Sequence, residues 1–159
     1  MDQKKTINLA NHKFTSPLAT RRLVIGESWL EDAKRNLALT SSFGMSFTNG
    51  PIFQVPRMML DLPGVLTAEV AFNRFNTLDV LVAKVQEDAY LEIVNQMMAT
   101  LEPHARVEPD GITFDLGSVQ ICAEPQGYGR SPCLTYMTSS FAIARAKARH
   151  DDQVSESVA

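Results

Sequence analysis

The glycine-rich stretch that ends in Arg-Ser-Pro, residues 127–132, is where the sequence offers most for chemistry. Ser131 suits the N-cap of a helix and Pro132 its first position, so this stretch predicts a loop that leads into a helix. Backbone N–H groups at a helix N-terminus attract anions, and an arginine beside them can add a further contact. The candidate anion-binding residues are Gly127, Gly129, Arg130 and Ser131.

The spacing of these glycines does not complete a known nucleotide-binding motif. A Walker A motif requires a later glycine followed by Lys-Ser/Thr, and the dinucleotide fingerprint requires a third glycine where this stretch has Pro132. A Gly-x-Gly sequence before Ser-Pro is also an ordinary way to turn from a strand into a helix. The sequence therefore favours a structural turn, and an anion-binding loop stays as the alternative.

Thiol, imidazole and carboxylate side chains form no recognisable catalytic or metal-binding pattern. Cys122 and Cys133 lack the close pairing of zinc ligands. A reactive thiol at Cys133 with His104 as its base is the alternative to a small buried side chain. Glu69 and Asp79 are expected to face solvent from a hairpin. The sequence therefore assigns no catalytic residue, no metal ion and no cofactor.

The proline-bounded segment "VPRMMLDLP" points to a surface that binds protein. Pro56 limits it to an edge strand or an irregular extended segment, which three consecutive apolar residues do not fit neatly. Methionine adapts to irregular partners and is frequent on promiscuous binding surfaces. The candidate partner-binding residues are Met58, Met59, Leu60 and Leu62. We expect a protein partner or a second copy of the chain to bind there.

The net charge of −3 is unevenly distributed, with an acidic middle between weakly basic ends. An acidic body argues against a broad nucleic-acid platform, and binding through the ends alone stays as an alternative. The residues that would serve it are Lys4, Lys5, Lys13, Arg21 and Arg22, with Arg145–Arg149. The simpler interpretation of the run that ends in His150 is that it stabilises the negative end of the last helix.

Compartment and membrane association are constrained by composition. Two cysteines without a disulfide framework favour a reducing compartment, which predicts a cytoplasmic location. No apolar run is long enough for a spanning helix.

Three helices are predicted from caps and apolar periodicity. Ser28 and Glu31 have capping-box spacing at the start of the first helix. The second helix covers "EDAYLEIVNQMMATLE", with Met97 and Leu101 on its apolar face. The third is expected to begin directly after Ser131.

Two groups of strands lie between these helices. "VLTAEVAF" and "TLDVLVAKV" alternate in polarity and are joined by a short turn, which predicts an antiparallel hairpin. Within it, Leu78, Val80 and Val82 are expected on one face. "RVEPDGITFDLGSVQICAE" predicts a strand meander with turns at 109–111 and 117–118.

The predicted fold is a single α+β domain with an antiparallel sheet and helices packed on one face, in the order α-β(β)β-α-ββ(β)-α. The domain covers 21–150, between a loose N-terminal arm at 1–20 and a frayed tail at 151–159. No internal repeat is visible in the sequence. The order of elements is similar to that of type III secretion chaperones, and the similarity is one of element order alone.

The expected function is that of a non-enzymatic protein-binding module: an adaptor, a chaperone-like protein or a subunit of an assembly, forming a homo-oligomer. The first alternative is a small enzyme or ligand-binding domain for a phosphorylated or anionic compound at Gly127–Ser131. The second is a nucleic-acid-associated protein that uses its basic ends.

Overall fold

A computed structural model of the chain describes residues 23–60, 64–126 and 131–158, with side chains as far as Asp152. The helices are α1 Leu30–Leu37, α2 Glu87–Leu101 and α3 Ser139–Val158. The strands are β1 Gly44–Met45, β2 Asn49–Gln54, β3 Val65–Asn73, β4 Leu78–Val85, β5 Ala105–Glu108, β6 Gly111–Asp115, β7 Val119–Glu124 and β8 Cys133–Thr138. Short 3-10 turns cover Arg57–Met59 and Glu102–His104.

All eight strands form one antiparallel sheet in the order β1-β2-β3-β4-β8-β7-β6-β5. Together with the three helices, this confirms the predicted single α+β domain with an antiparallel sheet. Within the described ranges, none of the helices combines the length and the apolar composition that crossing a bilayer requires.

The sheet is built from two halves of the same topology, each a helix followed by a four-strand meander. The first half is α1 with β1–β4 and the second is α2 with β5–β8. Pairs between β3 and β4 recur 53 residues later between β7 and β8: Ala68 faces Ala83, and correspondingly Ile121 faces Tyr136. The last strands of the two halves, β4 and β8, pair in the centre of the sheet.

Both faces of the sheet are covered, by different helices. Leu81 and Ala83 of β4 belong to the larger core cluster, to which α1 and α2 contribute their buried side chains. Val80 and Val82 point to the opposite face and belong to a smaller cluster with Phe141 of α3. Thus α1 and α2 share one face as predicted, whereas α3 lies against the other.

The face assignment predicted for the β4 hairpin is therefore wrong. Leu78 lies in the larger cluster, while Val80 and Val82 lie on the opposite face. Asp79, expected to face solvent, is 3% exposed. The physical reason is a bulge in the pairing of β3 with β4: Ala71 faces Val80 and the next residue, Phe72, faces Leu78, so β4 carries one extra residue there. Because a bulge interrupts the alternation of side chains along a strand, Leu78 and Val80 point to opposite faces.

The third helix begins later than the sequence predicts. Residues after Pro132 form the central strand β8, and helical geometry starts only at Ser139. All of β8 except its last residue is buried, so the strand lacks the alternation of buried and exposed residues that a half-exposed strand shows. The helix extends to Val158, so Arg145 and His150 lie within it, and their predicted place at a helix C-terminus is wrong. Helical geometry also reaches into the segment predicted as a tail, 151–159.

The first helix starts without the predicted capping box. Its N-cap is Trp29, which makes no side-chain capping hydrogen bond. The Ser28 hydroxyl instead accepts a hydrogen bond from the Val24 N–H at 2.8 Å, which closes the turn before the helix. The helix ends at Ala38, whose φ of 54° lies in the left-handed region.

The second helix agrees with its predicted pattern. Tyr90, Met97 and Leu101 are buried against the larger cluster, and Pro103 follows in the 3-10 turn. Pro103 cannot continue an α-helix. The chain then enters β5 directly.

Candidate functional site

The predicted anion-binding loop loses the helix on which it depended. Gly127, Gly129 and Arg130 lie outside the described residues, and Ser131 is half-buried. Ser131 and Pro132 precede strand β8 and not a helix, so they do not form the helix N-terminus that the sequence predicted.

The predicted partner-binding segment is divided between surface and core. Met58 is 81% exposed, whereas Met59 and Leu60 pack partly buried against the larger cluster. Leu62 lies outside the described residues. The segment forms a 3-10 turn and not an edge strand. Of the described candidate residues, therefore, Met58 is largely exposed, whereas the sequence suggested that all of them are available to a partner.

A different set of apolar side chains is exposed around β1 and one end of the sheet, and we call it the apolar rim. Each of its members is more than half exposed. The members are Trp29, Phe43, Met45, Phe47 and Phe75. Phe43 and Met45 lie in or beside edge strand β1, Phe47 and Phe75 lie in the turns after β1 and β3, and Trp29 precedes α1.

Backbone hydrogen bonds hold the segments of the apolar rim side by side. Arg74 N–H donates to the Thr48 carbonyl at 2.9 Å, which joins the turns that carry Phe75 and Phe47. Leu30 N–H donates to the Asn76 carbonyl at 2.8 Å, and Trp29 bridges Thr77. The start of α1 is thereby attached to the same turn.

A buried carboxylate ties these turns together from beneath. Asp79 accepts hydrogen bonds from the Thr48 hydroxyl, the Asn73 side-chain amide at 3.0 Å and the Thr138 hydroxyl at 3.4 Å. The side-chain oxygen of Asn73, Oδ1, in turn accepts a hydrogen bond from the Phe75 N–H at 2.9 Å. Because each donor comes from a different segment, Asp79 fixes the turns of the apolar rim relative to one another.

The same network reaches α3. The Thr138 hydroxyl accepts a hydrogen bond from the Phe141 N–H at 3.1 Å, which caps the first turn of the helix. The Phe141 ring lies 5.7 Å from the Phe47 ring, centroid to centroid. Phe47 is therefore exposed on one side and packed against α3 on the other.

Strand β1 lies at the edge of the sheet formed by the described residues. Its neighbour there is β2, where Gly44 faces Ile52 and Met45 faces Pro51. The Phe43 N–H continues the pairing by donating to the Ile52 carbonyl at 3.0 Å. An apolar edge of this kind can accept another extended segment.

A groove lies between α3 and the second face of β5–β8, with a cavity volume of about 350 Å³. We call it the α3 groove. Its charged and polar lining residues are Arg106, Glu108, Asp110, Thr113, Gln120, Glu124, Arg145, Arg149 and His150, and Cys122 lines it as well. Basic and acidic side chains thus share one concave surface.

Several contacts order the lining of the α3 groove. Thr113 donates a hydrogen bond to the Glu108 carboxylate, and Arg106 Nε lies 3.6 Å from the same carboxylate. Arg145 Nη2 lies 3.5 Å from Cys122 Sγ. The sequence offered two roles for the basic residues at 145–149, nucleic-acid binding and stabilisation of a helix end. Because Arg145 and Arg149 face a concave site, ligand binding becomes a third possible role.

Metal-ligating side chains do not converge in the described part of the chain. No group of three or more His, Cys, Asp or Glu side chains there is arranged to hold a metal ion. Cys122 and Cys133 are both buried. Burial raises the pKa of Glu69, whose side chain lies between Gln54 and Val82 of neighbouring strands, without bringing a second carboxyl group to it.

Comparison with known proteins gives no family for this chain. No protein-family model matches it, and no similar protein is found among curated proteins or solved structures. The function is therefore inferred from the chain's own geometry.

The apolar rim was missed by reasoning from the sequence. Phe43, Phe47 and Phe75 stand among small and polar residues, in "SSFGMSF" and "NRFN". Large aromatic side chains in turn segments cannot all reach the core, and this was the available signal. Their assembly at one end depends on pairings between distant segments, which no local pattern indicates.

Proposed function

We propose that the protein is a non-enzymatic protein-binding module that docks its partner on the apolar rim. The observation that carries the proposal is the exposure of Trp29, Phe43, Met45, Phe47 and Phe75 on adjoining segments. Large apolar side chains exposed side by side mark interaction surfaces in proteins. Tryptophan and other aromatic residues are also enriched among the side chains that dominate binding energies.

Rigidity of the rim supports the same proposal. Asp79 and Asn73 hold the turns of Phe47 and Phe75 through hydrogen bonds, and the two that Asp79 accepts from Thr48 and Asn73 are partly buried. A surface that is already ordered loses less conformational entropy on binding. Fully burying one such side chain contributes about 1.5–3 kcal/mol, so a few of them suffice for specific binding.

The partner class follows from the chemistry of the rim. An apolar edge strand beside aromatic turns fits an extended or apolar segment of another protein, as an adaptor or a chaperone-like protein would bind it. A second copy of the chain is the homo-oligomeric form of the proposal. Two buried cysteines are compatible with a reducing compartment, and on that ground we propose a cytoplasmic location.

Nucleic-acid binding has less support. Arg145 and Arg149 line a groove that also contains Glu108 and Glu124. Carboxylates beside the arginines would repel a phosphate backbone. The other basic residues of that alternative lie in 1–22, outside the described residues.

Photo-crosslinking tests the proposal in cells of the source organism. A photoreactive amino acid replaces Phe75 in one protein and Gln96, exposed on α2, in the control. We expect Phe75 to capture one defined protein, or the chain itself, that Gln96 does not capture. The same capture must disappear when Trp29 and Phe47 are both replaced by Ser. Identical products from the two positions would overturn the proposal.

A further inference from the structure

We propose that the α3 groove binds a small organic anion through Arg145 and Arg149 of α3, facing Arg106 of β5. The ligand class is a compound that carries one carboxylate or phosphate group. This site is separate from the apolar rim and does not depend on the proposed protein binding.

Arg145 is the residue on which the inference depends. It is partly buried, and its hydrogen-bond contact is the Cys122 thiol at 3.5 Å. Among the described residues, the ion pairs are Arg35–Asp32 and Arg106–Glu108. Arg145 belongs to neither pair, so no carboxylate oxygen of these residues lies within 4.0 Å of its guanidinium nitrogens. A guanidinium group that is taken partly out of water without a carboxylate beside it is poorly compensated, and a bound anion would supply the missing charge.

Arg149 adds a second cation to the same wall. It lies four residues after Arg145, so both side chains project from one side of α3. It too has no carboxylate oxygen within 4.0 Å among the described residues, and both arginines line the cavity. Two guanidinium forks one turn apart match the planar geometry of a carboxylate or a phosphate.

The opposite wall supplies polar groups that are already ordered. Glu108 is occupied by the Thr113 hydroxyl and by Arg106. Its charge is therefore partly balanced, and it repels an incoming anion less than an unpaired carboxylate would. Gln120 also lines the cavity and offers an amide that can donate a hydrogen bond.

Size and charge limit the ligand. The volume of about 350 Å³ lies at the low end of small-molecule sites, which are about 300–1,000 Å³. Asp110 and Glu124 also line the groove, so a polyanion would meet repulsion at these positions. A compact compound with a single anionic group fits both limits.

The test uses heteronuclear NMR titration of the full chain with inorganic phosphate and, separately, with acetate as the carboxylate probe. We expect at least one probe to give saturable shifts confined to α3 and to strands β5, β6 and β7. Replacing Arg145 by Gln should weaken binding at least tenfold, and Arg149→Gln should weaken it several-fold. Arg35→Gln, which removes an exposed arginine on α1, is the matched control and should leave affinity unchanged.

Each other outcome contradicts the proposal. Shifts that spread over all surface arginines, or that do not saturate below 20 mM of either probe (about the weakest affinity of interest), indicate screening by salt and not a site. Equal weakening by Arg35→Gln has the same meaning. Because Arg149 is exposed, its replacement is expected to leave the fold intact, so it tests the site even if Arg145→Gln perturbs folding. Replacing Phe75 by Ser should not affect the titration, which separates this site from the apolar rim.

Discussion

Tyr136 in the centre of the sheet has a buried hydroxyl group without a hydrogen-bond partner among the described residues. The residue is 1% exposed, and burial raises the pKa of its phenol well above the usual range. A buried polar group without a partner costs free energy, because it loses its hydrogen bonds to water and gains none. The ring packs in the apolar core, which explains its burial. No group among the described residues explains why the side chain carries a hydroxyl there.

Removing this hydroxyl should therefore stabilise the protein. We expect Tyr136→Phe to raise the free energy of unfolding by about 1 kcal/mol, since the ring stays and the unpaired group is lost. Urea denaturation followed by circular dichroism measures the change. A loss of stability would contradict the prediction and would mean that the hydroxyl has a partner in solution.

Asp79 shows the opposite case of a buried polar group that is fully used. Its replacement by Asn removes the charge that strengthens the hydrogen bonds from Thr48 and Asn73. We expect Asp79→Asn to cost about 1–3 kcal/mol in urea denaturation. Amide hydrogen exchange at Phe75 should also become faster, because Asn73 loses its anchor. Asp110→Asn, in an exposed turn, is the control and should change stability by less than about 0.5 kcal/mol.

Glu69 gives a prediction about pH. Burial raises the pKa of its carboxyl group above the ordinary value, so the folded state holds its proton to higher pH than the unfolded state does. The contribution of Glu69 to the free energy of unfolding therefore falls as pH rises from about 4.5 through the raised pKa. Glu69→Gln should raise the melting temperature slightly at pH 7 and leave it nearly unchanged at pH 4. A benefit of equal size at both pH values would contradict this origin.

At the scale of single elements, α2 was correctly predicted because one face of it carries a regular apolar stripe. Its buried residues recur at helical spacing, and the sheet needs only to cover them. Strand β8 was not predicted, because a strand buried on both faces has no alternation and its residues also suit a helix. The two elements differ in their environment. A periodic pattern of apolar and polar residues arises where one face of an element meets the core and the other meets water, and β8 has no face in water.

The two faces of α2 provide a matched pair of substitutions. Leu101 is 4% exposed and packs in the larger cluster, whereas Leu91 on the same helix is 55% exposed. Leu101→Ala should cost about 2–5 kcal/mol, as large-to-small core substitutions do. Leu91→Ala should change the free energy of unfolding by less than about 0.5 kcal/mol. Equal losses in chemical denaturation would mean that the helix does not pack as described.

At the scale of the whole molecule, the fold class was predictable and the arrangement of its halves was not. Hairpins and meanders follow from local alternation and turn residues, such as the turn between β5 and β6. The pairing of β4 with β8 joins segments about fifty residues apart, and no local pattern specifies it. The candidate surface was missed for the same reason, because its members lie on segments that only tertiary pairing brings together.

Self-association remains a prediction, and the structure sharpens its test. Met58 is exposed, whereas Met59 packs partly buried against the core. If the chain forms a homo-oligomer through this segment, Met58→Glu should lower the mass measured by light scattering and leave helix content intact. Met59→Glu should destabilise the fold itself, because it introduces a charge at the core. A wild-type protein that is monomeric at high concentration would contradict the prediction.

The central pairing of β4 with β8 has a consequence for the order in which the chain is made. Synthesis from the N-terminus completes β4 about fifty residues before β8 is finished. At about 5–20 residues per second, that delay is about 3–10 s. During this interval β4 has β3 on one side and nothing on the other, with apolar side chains on both of its faces. A nascent chain of this protein therefore carries its most aggregation-prone edge at mid-synthesis, and β8 protects it only at the end.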